Sequence, residues 1–68
     1  MIRRIQALMD RGASFRLENE DGLRCVWIWG SLLEGPDALV QGKRETLDEA
    51  LADALDQFEA LIAQRRKS

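Results

Sequence analysis

The chain has 68 residues, of which 46% are hydrophobic and 32% charged, as expected of a folded globular domain and not of a disordered segment. Its formal net charge of -2 gives no electrostatic reason to bind nucleic acid or an anionic membrane. It has one cysteine, Cys25, and no histidine, which excludes an intrachain disulfide and the common zinc, copper and haem ligand sets.

The first predicted element is a short helix over residues 2–11. Ile2, Ile5, Leu8 and Met9 recur at helical spacing and form one apolar stripe, which must be buried against the rest of the chain. Gly12 follows at the point where a residue in the left-handed conformation would end the helix.

A β-hairpin is predicted next. Within residues 14–18, Phe15 and Leu17 alternate with polar residues, as in a half-buried strand. Residues 19–22 read Asn-Glu-Asp-Gly, a strong turn sequence, and Leu23–Gly30 is rich in β-branched and aromatic residues. The two segments should therefore pair as antiparallel strands.

A loop and a third strand are expected after the hairpin. Residues 31–37 contain Gly35-Pro36, and proline both lacks a main-chain donor and restricts the residue before it. The third strand should run from Ala38 to about Lys43, although Gly42 interrupts its alternation.

The final helix, from Thr46 to Ile62, has the clearest pattern in the chain. Its apolar residues recur every three or four positions and form one face that must be buried. Thr46 and Glu49 have the spacing of a capping box, in which the hydroxyl accepts from the Glu49 amide and the carboxylate reaches back to the Thr46 amide.

Together these elements predict a single α+β domain over residues 1–68, with two layers in the order α-β-β-β-α. The three strands should form one antiparallel sheet with both helices on one face. The predicted core consists of Ile2, Ile5, Met9, Phe15, Leu17, Leu51, Leu55, Phe58 and Ile62.

The hairpin has two possible registers, which bury opposite faces of its second strand. A two-residue turn at residues 21–22 sets Leu17 against Val26 and Phe15 against Ile28, with all four under the helices. The far face would then carry Cys25, Trp27, Trp29 and Arg16.

A three-residue loop with a glycine bulge gives the opposite arrangement. Cys25 and Trp27 would then join the core, and Val26 and Ile28 would lie outside. In either register the second strand is apolar on both faces, so part of it should form a contact surface, unless residues 31–37 or the stems of Arg16 and Arg24 cover it. The candidate partner-binding residues over both registers are Arg16, Val26, Trp27, Ile28 and Trp29.

The sequence also predicts where in the cell the protein is found. Arg3, Arg4, Asp10 and Arg11 leave no apolar segment for a signal peptide near the N-terminus. The longest unbroken apolar run, residues 25–29, is far shorter than the roughly 20 residues of a membrane span. These features predict a soluble cytoplasmic protein.

The residue types argue against an enzyme. Cys25 has no histidine to act as its base. The acidic residues of the final helix lie on its convex polar face, where no enclosed site would shift their pKa values or replace the hydration shell of a metal. They are Asp48, Glu49, Asp53, Asp56 and Glu59.

The element order resembles that of the double-stranded RNA-binding domain. That family binds phosphates partly through lysines at the start of its last helix. Here the same place reads Thr46-Leu47-Asp48-Glu49, which is acidic, so the resemblance extends to topology and not to the RNA-binding motif.

A second resemblance covers residues 15–62, about two thirds of the chain. A hairpin with Asp21-Gly22, a short strand ending in Gly42 and the sequence Glu-Thr-Leu-Asp-Glu-Ala-Leu at residues 45–51 are similar to the small α/β domain of HicB-type antitoxins. In that family a Gly-x-Thr-x-x-Glu-Ala pattern opens the helix, whereas here three residues separate Gly42 from Thr46. The resemblance implies a compact protein-binding partner of phage or mobile-element origin.

The sequence therefore predicts a small non-enzymatic interaction module. It would bind a partner protein or form a homodimer through the second strand or its outer face, with Trp27 or Trp29 as an anchor. The alternative is a weak RNA- or DNA-binding domain. Salt dependence separates the two, because affinity built on phosphates falls steeply as ionic strength rises.

Overall fold

The protein is described by a computed structural model that covers residues 1–30 and 38–67, with side chains up to residue 64. The predicted loop at residues 31–37 lies outside the described part. The α+β class and the order α-β-β-β-α are confirmed. The elements are α1 (Ile2–Asp10), β1 (Ser14–Glu20), β2 (Leu23–Gly30), β3 (Ala38–Arg44) and α2 (Leu47–Lys67).

The three strands form one antiparallel sheet in the order β1-β2-β3. Glu20 pairs with Leu23, so only Asp21 and Gly22 form the turn of the hairpin. Their φ angles are 51° and 79°, and two successive residues with positive φ are the signature of a type I′ turn. The two-residue register is therefore confirmed, and the bulged alternative is wrong.

This register fixes which side of β2 faces the helices. Val26 lies opposite Leu17 and Ile28 opposite Phe15, and both β2 residues are fully buried on the inner face of the sheet. The prediction that Val26 and Ile28 bind a partner is thus wrong. Because β2 lies between β1 and β3, its edges are also occupied, and the predicted self-pairing of the second strand is not available.

The end of α1 agrees with the prediction made for Gly12. The Gly12 amide donates to the Met9 carbonyl at 2.9 Å, and the Ala13 amide donates to the Leu8 carbonyl at 3.0 Å. With Gly12 at a φ of 99°, this is the Schellman pattern of a helix C-terminus. Leu8 and Ala13 are both buried in the core, which supplies the apolar contact that usually accompanies this motif.

The capping box at the start of α2 is also present. The Glu49 amide donates to the Thr46 hydroxyl oxygen at 3.2 Å, as predicted. The Glu49 carboxylate accepts from the Thr46 hydroxyl at 2.8 Å, where the sequence predicted a bond to the Thr46 amide. The Thr46 hydroxyl therefore bonds to both the amide and the carboxylate of Glu49.

We expect Thr46→Ala to lower the free energy of unfolding by about 1 kcal/mol, because it leaves an amide of the first helical turn without its acceptor. Urea denaturation followed by circular dichroism measures the change. Thr46→Ser keeps the hydroxyl and should stay close to the wild type. Equal stability of the alanine and threonine proteins would show that the cap contributes nothing.

The core forms where α2 packs on β3 and β2. Leu55 and Phe58 are fully buried, as predicted, against Val26 and Ile28 of the sheet. Leu8 of α1 belongs to the same cluster, so both helices contribute to one core. Four other predicted core residues are partly buried against it, namely Ile5, Phe15, Leu51 and Ile62.

Three predicted core residues are exposed instead. Ile2 and Met9 are 78% and 55% exposed, because α1 is rotated so that Leu8 and Arg4 face the rest of the protein. Leu17 is 58% exposed although it lies on the inner face, because α2 packs on β2 and β3 and leaves much of β1 uncovered. Placing these three residues in the core was wrong.

Gly42 has a packing role that explains why it interrupts the pattern of β3. A Cβ atom at this position would overlap the Ala50 carbonyl oxygen and would lie 2.9 Å from the Ala54 nitrogen. Ala50 and Ala54 are themselves fully buried. The main chains of β3 and α2 therefore touch at this point, which only three very small residues permit.

Candidate contact surface on the outer sheet face

The outer face of the sheet is built from alternate residues of the three strands. Since both helices pack on the inner face, side chains on the other side do not contact them. The pairing aligns the outer residues in three rows across the sheet. The rows are Ser14–Trp29–Leu39, Arg16–Trp27–Gln41 and Glu18–Cys25–Lys43.

Apolar side chains are concentrated at one end of this face. Trp29 is 37% exposed and Leu39 is 63% exposed, and the half-buried Trp27 lies beside them. Arg16 adjoins Trp27 and forms an ion pair with Glu18. We call Arg16, Trp27, Trp29 and Leu39 the tryptophan patch. Together with Glu18 they line a shallow depression of about 520 Å³.

The other end of the face is polar and better covered. Glu20 extends across it, with its carboxylate 3.7 Å from the Lys43 ammonium and 3.7 Å from the Cys25 sulfur. Cys25 has no exposed surface, although it lies on the outer face as the confirmed register requires. A thiol with this burial is not accessible to a substrate or a partner.

Several acidic residues of α2 have structural partners. The Arg4 guanidinium bonds the Glu59 carboxylate at 2.6 Å and Asp56 at 2.8 Å, which links α1 to α2. The hydrogen bond to Glu59, followed by that to Asp56, raises the pKa of Arg4 above its ordinary value. Asp53 lies 3.5 Å from Arg44 of β3. These carboxylates therefore make contacts between elements, from α2 to α1 and from α2 to β3.

Within residues 1–30 and 38–67, no three His, Cys, Asp or Glu side chains lie close enough together to hold a metal ion. In the same part of the chain, neither helix is long and apolar enough to cross a membrane.

The structure brings together three of the predicted contact residues, Arg16, Trp27 and Trp29, and places Val26 and Ile28 in the core. Sequence reasoning missed Leu39. Leu39 and Val40 are adjacent and equally apolar, so the pattern of β3 did not say which one points outward. The signal is the pairing of Leu39 with Trp29, which depends on the register between β2 and β3.

Comparison of the chain with protein-family models, with curated proteins and with solved structures gives no match. The geometry of the described residues is therefore the basis for a functional proposal.

Proposed function

We propose that this protein is a non-enzymatic interaction module that binds a partner protein through the tryptophan patch. The observation that carries the proposal is the exposure of Trp29 and Leu39 side by side on a sheet face opposite the helices. Tryptophan and arginine are the residue types most enriched among those that dominate binding energy in protein interfaces. The patch has both, with Arg16 next to Trp27.

The shape of the surface favours a protein over a small molecule. Small-molecule sites usually enclose most of their ligand, whereas this depression is shallow and lies on an open sheet face. An apolar centre with charged residues at its side is the usual anatomy of a protein interface. A suitable partner would pack an apolar side chain against Trp29 and Leu39 and would place a carboxylate near Arg16.

The surroundings of the patch also favour a protein over nucleic acid. Arg16 and Lys43 on the outer face are matched by Glu18 and Glu20. Phosphate binding would require an excess of cations. The first turn of α2 is acidic, with Asp48 and Glu49. RNA or DNA binding is the alternative to binding a partner protein, and salt dependence distinguishes the two.

We further propose that the protein is cytoplasmic. Its resemblance to HicB-type antitoxins implies antitoxin-type partner binding and a phage or mobile-element origin. A single buried thiol is compatible with a reducing compartment, because no disulfide is needed to hold the fold. The antitoxin-like role rests on the sequence motif in residues 15–62.

Leu39→Asp tests the proposal, because it places a charge at the most exposed apolar residue of the patch without touching the core. Leu47→Asp is the matched control, since Leu47 is also exposed, at 43%, but lies at the start of α2. Each immobilised variant is used to capture binders from a host extract. The captured partner is then purified and titrated against each variant at low and high salt.

We expect Leu39→Asp to weaken partner binding by at least about tenfold and Leu47→Asp to leave it nearly unchanged. Affinity should vary little with salt, because the contact is mainly apolar. A partner that binds the Leu39→Asp protein as well as the wild type would refute the role of the patch. Capture of RNA or DNA with a steep salt dependence would favour the alternative.

A further inference from the structure

The free edge of β1 presents main-chain groups that can pair with another strand. In a hairpin with a two-residue turn, the residues next to the turn exchange both of their hydrogen bonds. Glu20 therefore bonds to β2, as do the even-numbered residues before it. By alternation, Phe15, Leu17 and Asn19 direct their N–H and C=O groups away from β2, towards the open edge of the sheet.

The other edge of the sheet, formed by β3, is partly covered by a side chain of α2. The same alternation directs the Gln41 carbonyl of β3 towards its free edge, and there the Gln57 side chain of α2 donates to it at 2.8 Å. Among the described residues no side chain makes such a bond to the main chain of β1. β1 also has no proline and no bulge in its pairing with β2, which are common devices that block edge pairing.

The sequence of β1 is complementary to itself in one antiparallel register. A two-fold axis through Leu17 sets Leu17 opposite its own copy and Arg16 opposite Glu18 of the copy, twice. Ser14 then faces Glu20, so all seven residues of the strand overlap. Moving the axis by one residue in either direction would oppose two arginines or two glutamates at the centre. Charge therefore selects the Leu17 register.

Burial of the Leu17 side chain also favours the two-fold register about Leu17. It points to the inner face but is 58% exposed, because α2 does not cover β1. In the two-fold register the exposed leucine of one copy packs against that of the other. The pairing would thus bury a side chain that the fold leaves in water.

We propose that the protein forms a two-fold homodimer in which β1 pairs antiparallel with β1 of a second copy about Leu17. The two sheets join into one continuous sheet, and Phe15, Leu17 and Asn19 exchange main-chain hydrogen bonds across the axis. This dimer uses the main chain of the sheet edge, whereas the proposed partner site is centred on Trp29 and Leu39 of the outer face. The two surfaces share the side chains of Arg16 and Glu18, but neither proposal depends on the other.

Charge reversal at the two paired positions tests the proposal by sedimentation equilibrium over roughly 10 µM to 1 mM, a range that detects weak association. Glu18→Arg sets Arg16 against an arginine of the copy, and Arg16→Glu sets Glu18 against a glutamate. Each should raise the dimer Kd by at least about tenfold. The double variant Arg16→Glu with Glu18→Arg restores opposite charges and should dimerise like the wild type.

A mixture of the two single variants gives the sharpest result. Arg16→Glu carries two acidic residues where Glu18→Arg carries two basic ones, so an equimolar mixture should form a heterodimer although each variant alone dimerises at least about tenfold more weakly than the wild type. Circular dichroism confirms that each variant is folded. A wild-type protein that stays monomeric throughout the range, or a mixture that does not associate, would overturn the proposal. So would a dimer that Leu39→Asp dissociates and the charge reversals leave intact, since it would use the tryptophan patch.

Discussion

Gly42→Ala is expected to destabilise the protein by about 3 kcal/mol or more, at or above the upper end of the usual range for overpacking. The added methyl group meets the main chain of α2 at Ala50 and Ala54 and not a flexible side chain. Relief requires the helix to move away from β3, which would open the core around Leu55. Chemical denaturation measures the loss.

Gly22→Ala is a suitable control for this change, because it adds the same methyl group where nothing lies within 4 Å. Its cost comes only from the positive φ of 79° and should be about 1–2 kcal/mol. If Gly42→Ala were no more destabilising than Gly22→Ala, the close contact between β3 and α2 would be wrong.

Phe58→Ala is the second change with a large expected effect. Phe58 is among the largest fully buried side chains, and its truncation should cost about 3–5 kcal/mol through lost burial and the cavity that remains. A domain of this size has a total stability of roughly 3–5 kcal/mol, so about half or more of the protein should be unfolded at 25 °C. Leu55→Ala should cost about 2–5 kcal/mol for the same reason.

Leu47→Ala removes a comparable apolar side chain from the same helix at a position that is 43% exposed. It should change the free energy of unfolding by less than about 1 kcal/mol, because little buried surface is lost. Thermal unfolding followed by circular dichroism compares the three variants. Cooperative unfolding of Phe58→Ala near the wild-type midpoint would contradict the core described for α2.

The elements with strong local signals could be predicted from the sequence. The capping residues of α2, the glycine after α1 and the Asp21-Gly22 turn each depend on contacts within a few residues, so their patterns carry the information. The turn alone offered two registers, because both are compatible with Asn-Glu-Asp-Gly. The structure selects the one with positive φ at Asp21 and Gly22.

The exposure of Ile2, Met9 and Leu17 could not be predicted in the same way. Their spacing places them on apolar faces, but their burial depends on how the helices lie over the sheet. α2 covers β2 and β3, and α1 is oriented so that Leu8 packs in the core while Arg4 pairs with Asp56 and Glu59. These contacts join residues far apart in the sequence, which hydrophobic periodicity does not report.

The candidate surface could also be predicted only in part, because one of its residues joins it through a contact between distant strands. Arg16, Trp27 and Trp29 could be proposed from β2 and its hairpin partner, because alternation assigns them to one face once the register is known. Leu39 could not be found, since it belongs to that surface only through its pairing with Trp29 across the sheet.

The contact between β3 and α2 also defines a sequence signature for this arrangement. Gly42, Ala50 and Ala54 give the spacing Gly-x7-Ala-x3-Ala, in which the two alanines lie one helical turn apart. A related chain could exchange most surface residues and still fold, but a larger residue at any of the three places would force the strand and helix apart. The spacing also reflects the short connection of residues 45–46 between β3 and α2. Distant relatives should therefore be recognisable by this spacing even where the tryptophans and the charges of β1 have changed.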